Sequence, residues 1–249
     1  MKKLLSIAAI CSLPSLALAQ EDPAEIFRAA NQAYDQKSFS TAVDQYQTLL
    51  EKGTLSAAVY YNLGNAYFRL GNLGEAIWCY RKALKLNPTD KETEENLEFA
   101  RLYQVDKIGE QKSFFLLLLF TSLPRVLGLG LLSWLVTLVW WLALASLLLF
   151  FVYRKRSKII KTLMLATLLL LVWFGSSLWS GAKAEEKKVG VVLAGQAEAK
   201  SGPGEDYLSL FTVHQGLECE VEEERADWYL IYVSNGSRGW IPARALGLI

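Results

Sequence analysis

Histidine and cysteine are scarce, and carboxylates vanish from the middle of the chain. Of 249 residues, one is His and three are Cys. A single imidazole leaves little room for a His-based triad or metal centre, and three thiols are too few for a disulfide framework or a zinc cage. The soluble parts offer no nucleophile–base pair and no metal-ligand cluster. No catalytic, metal or cofactor residue is therefore assigned, and a non-enzyme is expected. With 26 basic against 25 acidic residues the formal charge is +1, which excludes a generally basic nucleic-acid binder. Residues 113–182 carry six basic residues and not one Asp or Glu. The flanks are acidic, net −3 over residues 20–112 and net −4 over residues 183–249. Such a block, lying between two acidic flanks, reads as membrane-embedded chain between two soluble domains.

The N-terminus reads as an address. Lys2 and Lys3 precede an apolar run from Leu4 to Ala9, and Ala17-Leu18-Ala19 precedes Gln20. A basic start, a short apolar stretch and a small-x-small site describe a secretory signal peptide over residues 1–19. The alternative is a permanent anchor, which Pro14 and the short run argue against. Cys11 follows Ala8-Ala9-Ile10, with a bulky residue where a lipoprotein site needs a small one. Cys79 and Cys219 then remain, in different domains, as small buried hydrophobes.

Apolar residues, small residues and turn residues recur every 34 positions in the first soluble domain, residues 20–112. In residues 57–90, Leu63, Gly64 and Tyr67 are followed by Ala76, Tyr80, Ala83 and Pro88. This order matches the tetratricopeptide helix–turn–helix pattern. Gly64 and Ala76 are small where two antiparallel helices cross, Gly71-Asn72 supplies the turn, and Pro88 stops the second helix. One period earlier, Ala30, Ala42 and Tyr46 mark a weaker repeat over residues 23–56. One period later only Leu97 keeps the pattern, so residues 91–107 are expected to form a terminal helix whose polar face caps the stack.

Asn31 and Asn65 are 34 residues apart, as are Asn62 and Asn96. Such amides recur at corresponding places on the concave face of a solenoid. Each offers a donor and an acceptor, which suits an extended peptide backbone. Arg28 and Arg69 add cations that can hold a carboxylate. The partner-binding face is thus expected at Arg28, Asn31, Asn62, Asn65, Arg69 and Asn96; the bland alternative is that these are solvated polar positions.

Two apolar stretches, residues 131–153 and 159–179, are each long enough to span a bilayer. Between them lies RKRSK, residues 154–158. Short basic loops concentrate in the cytoplasm, so both soluble domains are expected on the opposite, periplasmic side of a bacterial inner membrane. The cleaved leader independently predicts that side for the first domain. Residues 113–130 contain a shorter apolar run ending at Pro124-Arg125 and read as an interfacial or re-entrant segment. Neither span holds a charge, so a pump, channel or proton relay gains no support.

From residue 185 to 249 the pattern becomes short strands and turns. Trp228–Val233, Ser234-Asn235-Gly236 and Gly239-Trp240-Ile241 read as a hairpin. Five or so strands suggest a compact barrel. The order SGPG, Phe211, His214-Gln215-Gly216, Trp228 and Gly239-Trp240-Ile241-Pro242 resembles bacterial SH3-like domains. Trp228 and Trp240 either brace the barrel or form an SH3-like ligand surface. His214, beside a turn glycine, has no paired acid or cysteine and reads as structural rather than catalytic. The partly alternating Glu218-Glu220-Glu222-Glu223-Glu224 reads as the solvent face of a strand.

A leader, tetratricopeptide units ending in NLEFARLYQVDKI, two spans and a terminal SH3-like domain together resemble the BatE family of bacterial aerotolerance operons. The resemblance implies an α-helical tetratricopeptide solenoid, two transmembrane helices and a small all-β SH3-like barrel. It also implies an accessory role beside von Willebrand-A-type membrane proteins and a MoxR-type ATPase under oxidative or envelope stress. It implies no activity. The expected function is a non-catalytic scaffold with membrane or periplasmic protein partners. The alternative is a cell-wall protein that holds peptidoglycan through the SH3-like domain.

Overall fold

The computed structural model describes residues 22–106, 115–152 and 158–249. The leader and most of the basic loop, residues 153–157, lie outside these, as does the stretch 107–114. Five helices open the chain: α1 Pro23–Asp35, α2 Phe39–Glu51, α3 Ala57–Leu70, α4 Leu73–Leu86 and α5 Lys91–Arg101. Asp22 caps α1 by accepting from the Ala24 amide at 3.0 Å, with Pro23 as the first helical residue. Gly71 ends α3 in the left-handed conformation, and α4 stops before Asn87-Pro88. α5 is shorter than the expected 91–107, because turns replace helix after Arg101.

Small residues at the repeat period let the helices pair closely. Ala30, Ala42 and Ala76 are completely buried. A methyl group at Gly64 would lie 2.8 Å from Tyr80 Cε1 and 3.2 Å from Cys79 Cβ. Tyr46, Leu49 and Leu63 fill the remaining space of one continuous core.

Helices α6, Phe115–Val152, and α7, Lys158–Glu186, form an antiparallel hairpin. Windows Val126–Val152 and Lys158–Lys183 are long and apolar enough to cross a membrane, and only 11 % and 6 % of them is buried. Helices from the interior of a soluble protein would be covered; these present their apolar sides outward. The first window begins at 126 rather than at the expected 131, and the second runs to 183 rather than 179. α6 breaks at Gly128, whose φ is 71° and ψ 156°, shortly after Pro124. Phe115–Leu127 is thereby set apart from the long helix that follows. Gly181 of α7 receives Pro124 and Leu129, so the start of one apolar window sits beside the end of the other. Deeper in, the Ser146 and Thr167 hydroxyls lie 3.4 Å apart.

The C-terminal region has seven strands: β1 Lys188–Val192, β2 Gln196–Lys200, β3 Ser209–His214, β4 Glu218–Arg225, β5 Trp228–Tyr232, β6 Arg238–Pro242 and β7 Leu246–Leu248. They form one antiparallel sheet in the order β3-β2-β6-β5-β4-β1-β7. The expected hairpin is β5–β6, with Leu230 opposite Trp240. The expectation of about five strands in a closed barrel is corrected. Among the described residues nothing bridges β3 to β7, and the β7 edge is covered by α4 instead. Trp78 Nε1 of α4 donates to the Leu248 carbonyl at 2.8 Å. A methyl at Gly247 would lie 2.7 Å from Trp78, and one at Gly74 would lie 2.6 Å from the Val192 carbonyl oxygen. Leu73, Ile77, Leu97 and Ala100 form one cluster with Val191, with Ile249 packed against it. Solenoid and sheet therefore share a core.

Replacing Gly64 by Ala forces a methyl onto the buried Tyr80 ring. The expected cost is about 1–3 kcal/mol, read as a lower thermal midpoint of the full chain in detergent. Gly195→Ala, at a site with nothing within 4 Å, should leave that midpoint unchanged.

Candidate functional site

The first helices of the repeats, α1, α3 and α5, lie side by side and carry the four periodic asparagines. Tyr46 donates to Asn31 Oδ1 at 2.5 Å, and Asn62 Nδ2 donates to the same oxygen at 3.1 Å. One period on, Tyr80 donates to Asn65 Oδ1 at 2.7 Å, and Asn96 Nδ2 donates to it at 3.1 Å. Each asparagine oxygen thus joins a tyrosine of its own repeat to the amide of the next. Asn96 also reaches the Tyr61 hydroxyl at 3.0 Å, and that hydroxyl donates to Glu92 Oε1 at 2.7 Å. The amide of Asn31 and the oxygens of Asn62 and Asn96 have no partner among the described residues, the Asn65 side chain also bonds Tyr61, and all four residues are half-buried. Arg28 is exposed one turn before Asn31. Arg69 is exposed one turn beyond Asn65, with its guanidinium 5.2 Å from the centre of the Phe39 ring. Arg28 therefore sits beside the α1 end of the ladder and Arg69 beside its middle helix, against the first repeat.

Burial keeps the ladder's donors protonated. It pushes the Tyr46 phenol up to about 12 and that of Tyr80 higher still. Tyr67, whose hydroxyl accepts from Gln47 Nε2 at 2.6 Å, is likewise raised to about 12 by burial. The same cause pushes the Cys79 thiol well up and Cys219 to about 12, so both behave as buried apolar groups.

A second constellation lies where α5 meets the sheet. Arg101 Nη2 contacts both oxygens of Glu218, at 2.8 and 2.9 Å, while its Nη1 holds Glu98. Arg81 Nε lies 3.8 Å from Glu218. The His214 amide donates to Asp106 Oδ2 at 2.7 Å, and its Nδ1 lies 2.9 Å from Oδ1. Gln104 donates to the Gly216 carbonyl. Two readings of the sequence are corrected here. His214 does have an acid, Asp106, brought in from 108 positions away. Glu218 is not on a solvent face but is held by Arg101. Neither pairing leaves a local signal in sequence; the only hint is that Glu218 begins the acidic run next to the turn at Gly216.

Trp240 is 7 % exposed, with the Arg225 guanidinium 5.5 Å from its ring centre. Trp228 is half-buried, with Lys200 Nζ 5.9 Å above it. An open depression of about 430 Å³ lies at the α7–β1 junction, where Lys187 pairs with Glu220 at 2.5 Å and Lys188 with Glu224 at 3.6 Å. Its two remaining carboxylates, Glu222 and Glu223, pair with Arg238 and Arg225.

A raised phenol pKa gives a signed pH dependence. Above pH ~10 the unfolded chain sheds its phenolic protons while folded Tyr46 keeps its own until about 12. Stability is therefore full below pH ~10 and falls between there and about pH 12, by up to about 2–3 kcal/mol for this group. Tyr46→Phe should cost about 1 kcal/mol at neutral pH and flatten this alkaline fall. Thermal melts of the two chains across pH 8–12 check both effects; parallel alkaline limbs would remove Tyr46 from the account.

The tetratricopeptide repeat family model matches residues 57–90, the α3–α4 pair and the turn after it. No curated protein matches the chain. The match suggests a protein-interaction module, and the translated Asn–Tyr bonding extends the repeat geometry to α1–α2.

Proposed function

We propose that the chain is a non-catalytic, membrane-anchored scaffold that offers the α1/α3/α5 face to an extended segment of a partner protein. The observation that carries the proposal is the amide ladder. It ties four half-buried asparagines to one another and to Tyr46 and Tyr80 at the repeat period, and side-chain amides held in this way suit an extended peptide backbone. Arg28 on α1 and Arg69 on α3 are exposed beside it and can take carboxylates of a bound segment. Two and a half repeats give a short groove, so the affinity of each contact is modest. Anchoring beside a membrane-bound partner raises effective concentration and compensates.

In this proposal α6 and α7 cross the bacterial inner membrane, with the basic loop cytoplasmic and the docked solenoid and sheet periplasmic. The RKRSK sequence supports the orientation. The packing of solenoid against sheet supports an even number of crossings, since both must lie on one side. The resemblance to the BatE family supports a place in a Bat-type aerotolerance or envelope-stress complex beside von Willebrand-A-type proteins. Peptidoglycan binding through the sheet has less support, because Trp240 is buried and Trp228 is partly covered.

A photocrosslinking amino acid at Arg28 or Glu92 should give the same protein adduct in intact cells, while one at Glu51, on the second helix of the first repeat, should give none. Equal adducts at all three positions would remove the face from the proposal. Alkaline phosphatase fused after Ile249 should be active and a fluorescent protein there that folds only in the cytoplasm should stay dark; the reverse pattern would invert the topology.

A further inference from the structure

Phe68, Phe99 and Tyr103 form a three-ring cluster with every centroid pair 5.4–5.7 Å apart. Phe99 is 50 % and Tyr103 59 % exposed, and neighbouring Leu102 is 72 % exposed. Mutually packed rings that stay open to water are costly unless something covers them. Phe68 lies three residues beyond Asn65 on α3, and Phe99 three beyond Asn96 on α5. The cluster therefore occupies the end of the first-helix face from which α5 leaves the solenoid.

Both connections to the apolar hairpin depart from this end of the module. Asp106, last of the described residues after α5, is pinned to His214. Arg101 grips Glu218, which is three residues along β4 from Val221, the register partner of Lys188. At ~3.3 Å per residue, the first residue of β1 is then about 10 Å along the sheet from the Arg101 contact. The leashes are short. Only Lys187 separates α7 from β1, and the apolar window of α7 ends at Lys183, about 8 Å of helix rise from Lys188. Eight residues, 107–114, separate Asp106 from Phe115, a reach of at most about 30 Å.

From this geometry we infer that the Phe68–Phe99–Tyr103 cluster, with Leu102, is a lipid-surface anchor that seats the docked module on the bilayer at the headgroup–acyl boundary. The chemistry fits that depth: two apolar rings, a phenol with one polar end, and an aliphatic side chain. The segments 20–112 and 183–249 are both net acidic, so their overall charge opposes an anionic surface and ring burial is the contribution that favours contact. The inference rests on the membrane-spanning reading of α6 and α7, and its test separates the two.

The full chain, in a Cys11→Ser background, is placed in nanodiscs of phosphatidylethanolamine and phosphatidylglycerol. Cys79 and Cys219 are buried and escape labelling. An environment-sensitive fluorophore is attached in turn at Leu102→Cys, at Leu138→Cys on the open side of α6, and at Glu51→Cys on the far side of the solenoid. Nitroxide lipids labelled near the headgroup should quench position 102 and not 51, while deeply labelled lipids should quench 138. If 138 is quenched and 102 is not, the anchor is overturned while the spans stand, leaving the rings open to a protein partner. If 138 is not quenched, the spanning reading falls and the anchor with it. Changing Phe68, Phe99 and Tyr103 together to Ser should abolish quenching at 102 and leave 138 as it was, with the helical circular-dichroism melt retained. Persistent quenching at 102 in that folded variant would show that the leashes alone hold the surface close, and would overturn the role of the rings.

Discussion

The contact between α4–α5 and the β1–β7 edge of the sheet is the constraint on which the rest of this structure depends. A solenoid of two and a half repeats ends with an apolar face and no following repeat to cover it. In this chain the sheet takes that place. Leu73, Ile77 and Leu97 bury with Val191, Trp78 stacks on the Gly247 backbone, and Glu218 neutralises Arg101 at the margin. The sheet gains equally: its β7 edge, which would otherwise be open to another strand, is closed by a helix. Each half supplies what the other lacks. Separating them would expose apolar surface on both sides and leave Arg101 and Glu218 to resolvate.

That mutual cover also fixes the relation between the soluble parts and the apolar helices. Two domains that share a core cannot lie on opposite faces of a bilayer, so the chain between them must cross an even number of times or not at all. The α6–α7 hairpin meets this requirement, and the Pro124–Gly181 contact joins the start of one apolar window to the end of the other. The break at Gly128 matters for the same reason. A continuous 38-residue helix would be about 57 Å long, far more than a hydrocarbon core of ~30 Å, and would carry α5 away from the surface. Splitting off Phe115–Leu127 brings the apolar length close to what one crossing needs.

Much of the helical half was legible because its determinants are local and periodic. Gly64, Ala76 and their equivalents one period earlier announce close helix crossings, and Pro88 ends α4. The 34-residue spacing of Asn31 with Asn65 and of Asn62 with Asn96 located the right residues. It did not reveal that they bond first to one another and to Tyr46 and Tyr80. The spacing says that amides are equivalent; it cannot say which hydroxyl lies within 3 Å of each. The sheet was legible as strands and turns but not as an open sheet, since closure depends on whether β7 finds β3 or α4. The seam was invisible for the same reason. His214 looked partnerless because two long helices and two strands separate Asp106 from β3, and Glu218 looked solvent-facing because alternation records only the pleat. No local pattern encodes that a helix from the other end of the chain covers one side of that pleat.

The ladder and the aromatic cluster lie on one continuous surface, and their order along it has a consequence for how a partner would lie. α1, α3 and α5 run parallel, so Arg28 marks the end far from the hairpin, and Phe68, Phe99 and Tyr103 mark the near end. A segment entering from a neighbouring membrane protein would meet the rings at the lipid boundary, then the asparagine amides, then Arg28. A soluble ligand would have no reason to follow that direction. The spacing of the amides is set by the repeat and cannot adjust. Under the proposed partner face and lipid anchor, a chain that itself emerges from the bilayer close by would therefore meet the face first.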